Sequence, residues 1–117
     1  MISALNSTVS ALQAYIRNLG VTANNISNVN TDGYKKYKAV MQEGPTGNVQ
    51  AKVSRVDTPG YHYRAVENSQ RIEKETSNVE LVDEIPDLMI TRRAFEANIK
   101  SIQTQDKILG SLLDIIT

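Results

Sequence analysis

Two apolar seams, one near each end of the chain, constrain the fold more than any other feature. Ile2, Leu5, Val9, Leu12, Ile16, Leu19, Ala23 and Ile26 recur at spacings that alternate three and four. From Leu81 the same alternation runs through Ile85, Leu88, Arg92, Phe95, Ile99, Ile102, Asp106, Leu109, Leu113 and Ile116, broken only by Arg92 and Asp106. A repeat of this kind lines one stripe of an α-helix with apolar side chains, as in a coiled-coil seam. Each segment is predicted to be a long helix, and the two seams are expected to bury each other as an antiparallel hairpin.

The first helix has an unusual back. Residues 1–31 carry a single charged side chain, Arg17, where a solvated helix face normally carries Lys and Glu. Ser7, Thr8, Ser10, Asn18, Thr22, Asn24 and Asn25 are mediocre helix formers, and Gly20 costs about 1 kcal/mol relative to Ala. Such a helix is weak alone, so Ser3 is assigned as its N-cap and tertiary contacts must supply the rest. A back of Ser, Thr, Asn and Gln suits close packing through small contacts and hydrogen bonds. The reading assigns that back to neighbouring copies or related subunits, which couples folding to assembly.

Asn28, Asn30, Thr31, Asp32 and Gly33 end the first helix with side chains that bond their own backbone and a glycine that accepts positive φ. Residues 37–43 and 49–56 alternate as two strands around Gly44-Pro45-Thr46-Gly47-Asn48, and a third strand is predicted at 61–65 after Asp57-Thr58-Pro59-Gly60. Residues 67–76 are polar and aperiodic and are assigned as loop. In the second helix Ser77 and Glu80 match a capping box, but Pro86 would then lie inside, so a start near Asp83 is preferred, with Asp83, Glu84 and Asp87 against the positive helix end. Glu96 and Lys100 are spaced to form an exposed ion pair. The predicted fold is mostly α with a small β insertion: terminal helices paired as a coiled-coil hairpin, with a short β-hairpin or three-stranded meander between them. Its parts are 1–33, 34–76 and 77–117, one structural unit rather than independent domains.

Thirteen basic and thirteen acidic residues cancel, so no net field names a partner. With one histidine, His62, no cysteine, and no nucleophile motif or phosphate loop, an enzyme is not expected, nor any metal or cofactor. No stretch approaches the length of a membrane span, and Met1 to Asn6 do not begin a conventional signal peptide. The competing function is a small partner-binding or nucleic-acid-binding hairpin using Tyr34-Lys35-Lys36-Tyr37-Lys38, where aromatics interleave with cations. A strand edge guarded by lysine explains that stretch better.

The run Asn24-Asn25-Ile26-Ser27-Asn28-Val29-Asn30-Thr31-Asp32-Gly33-Tyr34-Lys35 resembles the N-terminal signature of bacterial flagellar rod, hook and hook-associated proteins, with Asn24, Asn25, Asn28, Asn30, Thr31, Gly33 and Tyr34 at its matching positions. Ser77-Asn78-Val79-Glu80-Leu81, followed by Arg93-Ala94-Phe95-Glu96-Ala97-Asn98-Ile99-Lys100 and Ile102-Gln103-Thr104 through Leu109, resembles that family's C-terminal helix, with Arg93, Glu96 and Asn98 in the motif. The resemblance implies terminal helices that build an inner axial tube. It also implies export through the flagellar type III apparatus without a cleaved signal, and residence in the periplasm-spanning rod beside copies of itself and other rod and hook subunits. The short middle favours a proximal-rod type, and Val53 to Gly60 resembles that type's middle only loosely. On this reading the assembly seam is Leu5, Val9, Leu12, Ile16, Leu19, Ile26, Ile85, Leu88, Phe95, Ile99, Ile102, Leu109, Leu113 and Ile116.

Overall fold

The computed structural model of the chain describes residues 2–117. Helix α1 spans Ile2–Ser27, and four strands follow: β1 Tyr37–Glu43, β2 Val49–Arg55, β3 His62–Glu67 and β4 Gln70–Glu75. Helix α2 spans Leu81–Ile116. The molecule measures 81 × 26 × 20 Å, with a radius of gyration of 20.9 Å. A globular chain of this length would have about 13 Å, so the protein is a rod.

The two helices pack against each other antiparallel. Asn25 meets Glu84, Asn18 meets Thr91 and Thr8 meets Gln105, so residue numbers fall on α1 as they rise on α2. At 1.5 Å per residue α1 is about 39 Å long and α2 about 54 Å, and α2 runs on beyond the start of α1. The β1–β2 hairpin lies along the other flank of α1. Its base is tied at Tyr37 to Asn25, and its far end at Val49, whose N–H donates to Ser10 Oγ at 3.0 Å. Fifteen residues of helix and seven of strand both cover about 22 Å, so the two elements run side by side without a step. Ser10 and Ala14 are small, which lets the strands approach.

The β3–β4 pair is a separate sheet, not the third strand of a meander. It packs on no other helix or strand. The segment read as loop is its second strand. Asn68 and Ser69 take positive φ, 51° and 64°, and close a two-residue turn. Sequence periodicity missed it because Gln70 to Glu75 has one apolar residue, Ile72, and a ribbon wet on both faces needs no alternation.

Both helix starts also differ from expectation. Ser3, expected as the N-cap, lies within α1, which already runs from Ile2. Helix α2 begins at Leu81 with Glu80 in extended geometry, and Ser77 Oγ instead accepts from the Val79 N–H at 3.1 Å. Pro86 sits inside the helix, where it cannot bond the Val82 carbonyl. Val82 is 82% exposed, so water can meet that group, which is why no break is needed.

Candidate assembly surface and helix exit

The helices do not bury the apolar seams. The buried positions on α1 are Ala11, Ala14, Thr22 and Asn25, and on α2 they are Glu84 and Thr91. The polar back expected to meet neighbours is therefore covered by the chain's own α2 and β1–β2 hairpin. Of the predicted seam, Leu5, Leu12, Leu19, Ile26, Leu88, Phe95 and Ile102 are half-buried, while Val9, Ile16, Ile85, Ile99, Leu109, Leu113 and Ile116 are exposed. The exposure of Ile16 reaches 57%. Small side chains let two helices approach more closely than Ile and Leu would, and polar groups bond across the contact, such as Asn18 Nδ2 donating to Thr91 Oγ1 at 3.3 Å, although Gln105 Oε1 is buried without a partner.

The displaced apolar residues share one side. Val9, Leu12, Leu19 and Ile26 each follow by one residue a helix–helix contact position (Thr8, Ala11, Asn18, Asn25), and Ile85 and Ile99 likewise follow Glu84 and Asn98. One residue is a 100° rotation about the axis. In an antiparallel pair the same rotation on both helices points to the same side, so the two displaced seams form one apolar ribbon along the hairpin. Large exposed apolar patches on soluble chains mark interaction surfaces.

The exit from α1 is built around Asn25, which is 1% exposed. Its Nδ2 donates to the Tyr37 carbonyl at 2.7 Å and to Glu84 Oε2 at 3.3 Å. Its Oδ1 accepts from the Tyr37 N–H at 3.0 Å and the Tyr34 hydroxyl at 3.1 Å. One amide thus fastens α1, α2 and β1 together. Asn24 Nδ2 donates to Tyr34 Oη at 3.0 Å, Asn28 Nδ2 to the Asn24 carbonyl at 2.8 Å, and Thr31 Oγ1 to Asn28 Oδ1 at 3.1 Å. Gly33 turns the chain at φ +71°, and its N–H donates to the Glu75 carbonyl at 2.8 Å. Asn30 is exposed.

Burial pushes the Glu84 carboxyl above its usual range, offset in part by the Asn25 hydrogen bond and by Lys36. Burial likewise raises Tyr34, with Tyr37 and Glu84 adding to the rise. Glu84 was expected only as a partner of the helix dipole. Its position one residue before Ile85, off the apolar seam, was the available signal.

Glu75 and Gly60 were not anticipated as site residues, and Asn78 entered only as part of the resembling run Ser77 to Leu81. Asn78 Oδ1 accepts from the Lys36 N–H at 2.7 Å, and its Nδ2 donates to the carbonyls of Val56 and Thr58 at 2.8 and 2.9 Å. Glu75 is ion-paired with Lys35 and accepts from the Gly60 N–H at 2.7 Å, and the Lys35 contact holds its carboxyl below the usual range. A Cβ on Gly60 would lie 2.1 Å from the Thr76 carbonyl oxygen, so only glycine fits. Tyr34 and Lys35 are consequently engaged within the fold and are not free as a stacking surface.

On α2, Glu96 pairs with Arg92 at 3.1 Å and Arg93 at 3.4 Å instead of Lys100, and Asn98 is half-buried. Among the described residues, no helix is long and apolar enough to cross a membrane.

The comparisons with known proteins fall on these same elements. A family model described as flagella basal body rod protein matches residues 5–35, which is α1 with its exit. Another, described as flagellar basal body rod FlgEFG protein C-terminal, matches residues 69–115, which is β4 and α2. The flagellar hook protein FlgE of Treponema pallidum (strain Nichols) is 44% identical over 41 residues, covering 35% of this chain and 9% of that protein. The chain thus matches less than a tenth of that hook protein's length. With one family model on each terminal helix, and the one described as C-terminal falling on α2, the chain belongs to the flagellar rod and hook family of axial proteins.

Proposed function

We propose that the chain is a structural subunit of the flagellar basal-body rod, polymerising through its terminal helices into an axial tube that transmits torque and conducts exported subunits. The observation that carries this is the apolar ribbon, in which Val9 and Ile16 of α1 lie exposed on the same side as Ile85 and Ile99 of α2. A chain of zero net charge that leaves such a stripe in water needs a covering partner, and helices of like pattern provide one. Its partners are copies of itself and other axial subunits, with the flagellar export apparatus acting beforehand. The segment 34–76 faces outward from the tube, and 1–33 and 77–117 form its wall.

The test uses Ile16→Asp and Ile99→Asp in a motile strain lacking its own copy. Both positions are exposed, so the purified variants should keep their helical circular dichroism while motility and incorporation into the basal body are lost. Normal motility in both variants would contradict the proposal.

A further inference from the structure

Each hairpin has a free edge whose backbone groups can be assigned residue by residue. In the β3–β4 ribbon the Thr76 N–H donates to the Tyr61 carbonyl at 2.8 Å, and the register repeats that bonded pairing at Tyr63 with Lys74, Ala65 with Ile72 and Glu67 with Gln70. The N–H and carbonyl groups of His62, Arg64 and Val66 therefore point away from β4 and find no partner among the described residues. The opposite edge is already in use, since the Glu75 carbonyl accepts from Gly33. In β1 the Gly44 N–H donates to the Asn48 carbonyl and the Val56 N–H to the Lys36 carbonyl, so the even-numbered residues bond β2. Tyr37, Ala39, Met41 and Glu43 face outward; Asn25 takes Tyr37, and the other three are open.

Resting on the axial-subunit reading only to bring copies side by side, we infer that the β3 edge of one copy adds to the β1 edge of a second, making a sheet β2–β1–β3–β4 across two chains. A two-stranded ribbon wet on both faces is marginal alone, and strand addition is a recurrent way to complete one. Outward residues must pair with outward residues, so the register can slip only by twos. One register sets His62 opposite Glu43, Arg64 opposite Met41 and Val66 opposite Ale39's place in the strand, Ala39, with Tyr63–Gln42, Ala65–Val40 and Glu67–Lys38 between them. Its ends are complementary and its middle apolar. Lys38 has no ion pair among the described residues, and Glu67, which holds Lys74 at 3.2 Å, is 58% exposed. A slip one way sets Val66 against Tyr37, whose backbone Asn25 already occupies, and a slip the other way sets His62 against Pro45 and Glu67 against Val40. Pairing β3 with itself centres Arg64 on Arg64, which disfavours a closed dimer. Beside the β1 edge lies a groove of about 540 Å³ whose far wall carries Asp83 and Asp87, on the side where Arg71 of the added ribbon comes. The two edges differ, so the contact is heterologous and repeats from copy to copy.

The chain has no cysteine, so a disulfide can be placed singly. Full-length Ala65→Cys and Val40→Cys proteins, mixed at high concentration and oxidised, should give a covalent heterodimer, because facing residues at such a position lie about 4.5 Å apart at Cα. Within one chain β1 and β3 do not meet, so the double variant should give a ladder of multimers. Gln42→Cys in place of Val40→Cys, one slip away, should give at least threefold less product. Adding Lys38→Glu to the Val40→Cys protein should lower the yield at least threefold, and adding Glu67→Lys to its Ala65→Cys partner should restore it. Equal product from Gln42→Cys, or no product either in solution or in basal bodies, overturns the inference. The double variant in the motile strain lacking its own copy separates the two readings. Incorporation into basal bodies without a ladder on oxidation rejects the strand contact alone. A ladder from purified chains that never enter the basal body rejects the axial-subunit reading alone.

Discussion

Asn25→Ala tests whether one amide holds the exit together. The substitution removes four hydrogen bonds at a buried position and leaves the Tyr37 N–H, the Tyr37 carbonyl and the Glu84 carboxylate without that partner, while Tyr34 keeps the bond from Asn24. An unsatisfied group costs about 1 to 3 kcal/mol, toward the low end for Tyr37, which is partly exposed, and toward the high end for the buried charge. The sum is about 3 to 5 kcal/mol, a large part of the total stability of a small domain. Urea unfolding followed by circular dichroism at 222 nm reads the loss directly. Asn25→Asp should be worse, because it replaces a donor to Glu84 with a second carboxylate, and combining it with Glu84→Gln should restore most of the difference. A loss below about 1 kcal/mol for Asn25→Ala, or an Asn25→Asp protein as stable as the parent at neutral pH, would refute the assignment.

Glu84→Gln alone should alter the pH profile. The folded-state pKa of Glu84 is raised, so the folded chain binds its proton more tightly than the unfolded chain, and the parent loses stability as pH rises through the carboxylate range to the folded pKa. The variant should gain on the parent progressively over that window, and a stability difference flat with pH would count against burial as the cause. Gly60→Ala drives a Cβ onto the Thr76 carbonyl and should cost about 1 to 3 kcal/mol. Hydrogen exchange should show the loss as faster exchange at the Thr76 N–H, which bonds Tyr61, with α1 unchanged. His62→Ala should leave thermal stability within about 0.5 kcal/mol, since its contact to Glu73 at 3.7 Å is solvent-exposed.

The helices were legible because a 3.5 repeat persists through Ile2 to Ile26 and Leu81 to Ile116, and β1 and β2 because Val49, Ala51 and Val53 alternate with polar residues. Which face each helix buries was not legible. Periodicity locates the apolar stripe, and the usual inference that this stripe is the buried one fails when the structure covers a polar stripe instead. Thr22, Asn25, Glu84 and Thr91 carry no hydrophobic signal, and burial there depends on partners far along the chain, 59 residues apart for Asn25 and Glu84 and 73 for Asn18 and Thr91. Pro86 misled for a local reason: the rule against internal proline assumes that the freed carbonyl is dry. The Gly33 turn was readable, whereas the requirement for Gly60 appears only when Thr76 is brought against it.

The reversed burial gives the uncharged first helix a physical explanation. A lysine on the inner face of α1 would meet α2 or the strands at close range, where its ammonium would need a partner that Ala11, Ala14 and Thr22 cannot supply. On the outer face it would interrupt the ribbon. Both faces therefore exclude charge, for different reasons, and only Arg17 escapes, near the rim of the β1–β2 hairpin. The inner contacts contribute hydrogen bonds worth about 0.5 to 1.5 kcal/mol net each and little apolar transfer energy. On the proposed assembly, the larger gain, roughly 25 cal/mol for each Å² of apolar surface removed from water, comes when Val9, Ile16, Ile85 and Ile99 meet another molecule. A monomer arranged this way holds its shape through polar fasteners such as Asn25 and Asn78, and on the proposed assembly its full stability depends on the protein concentration around it.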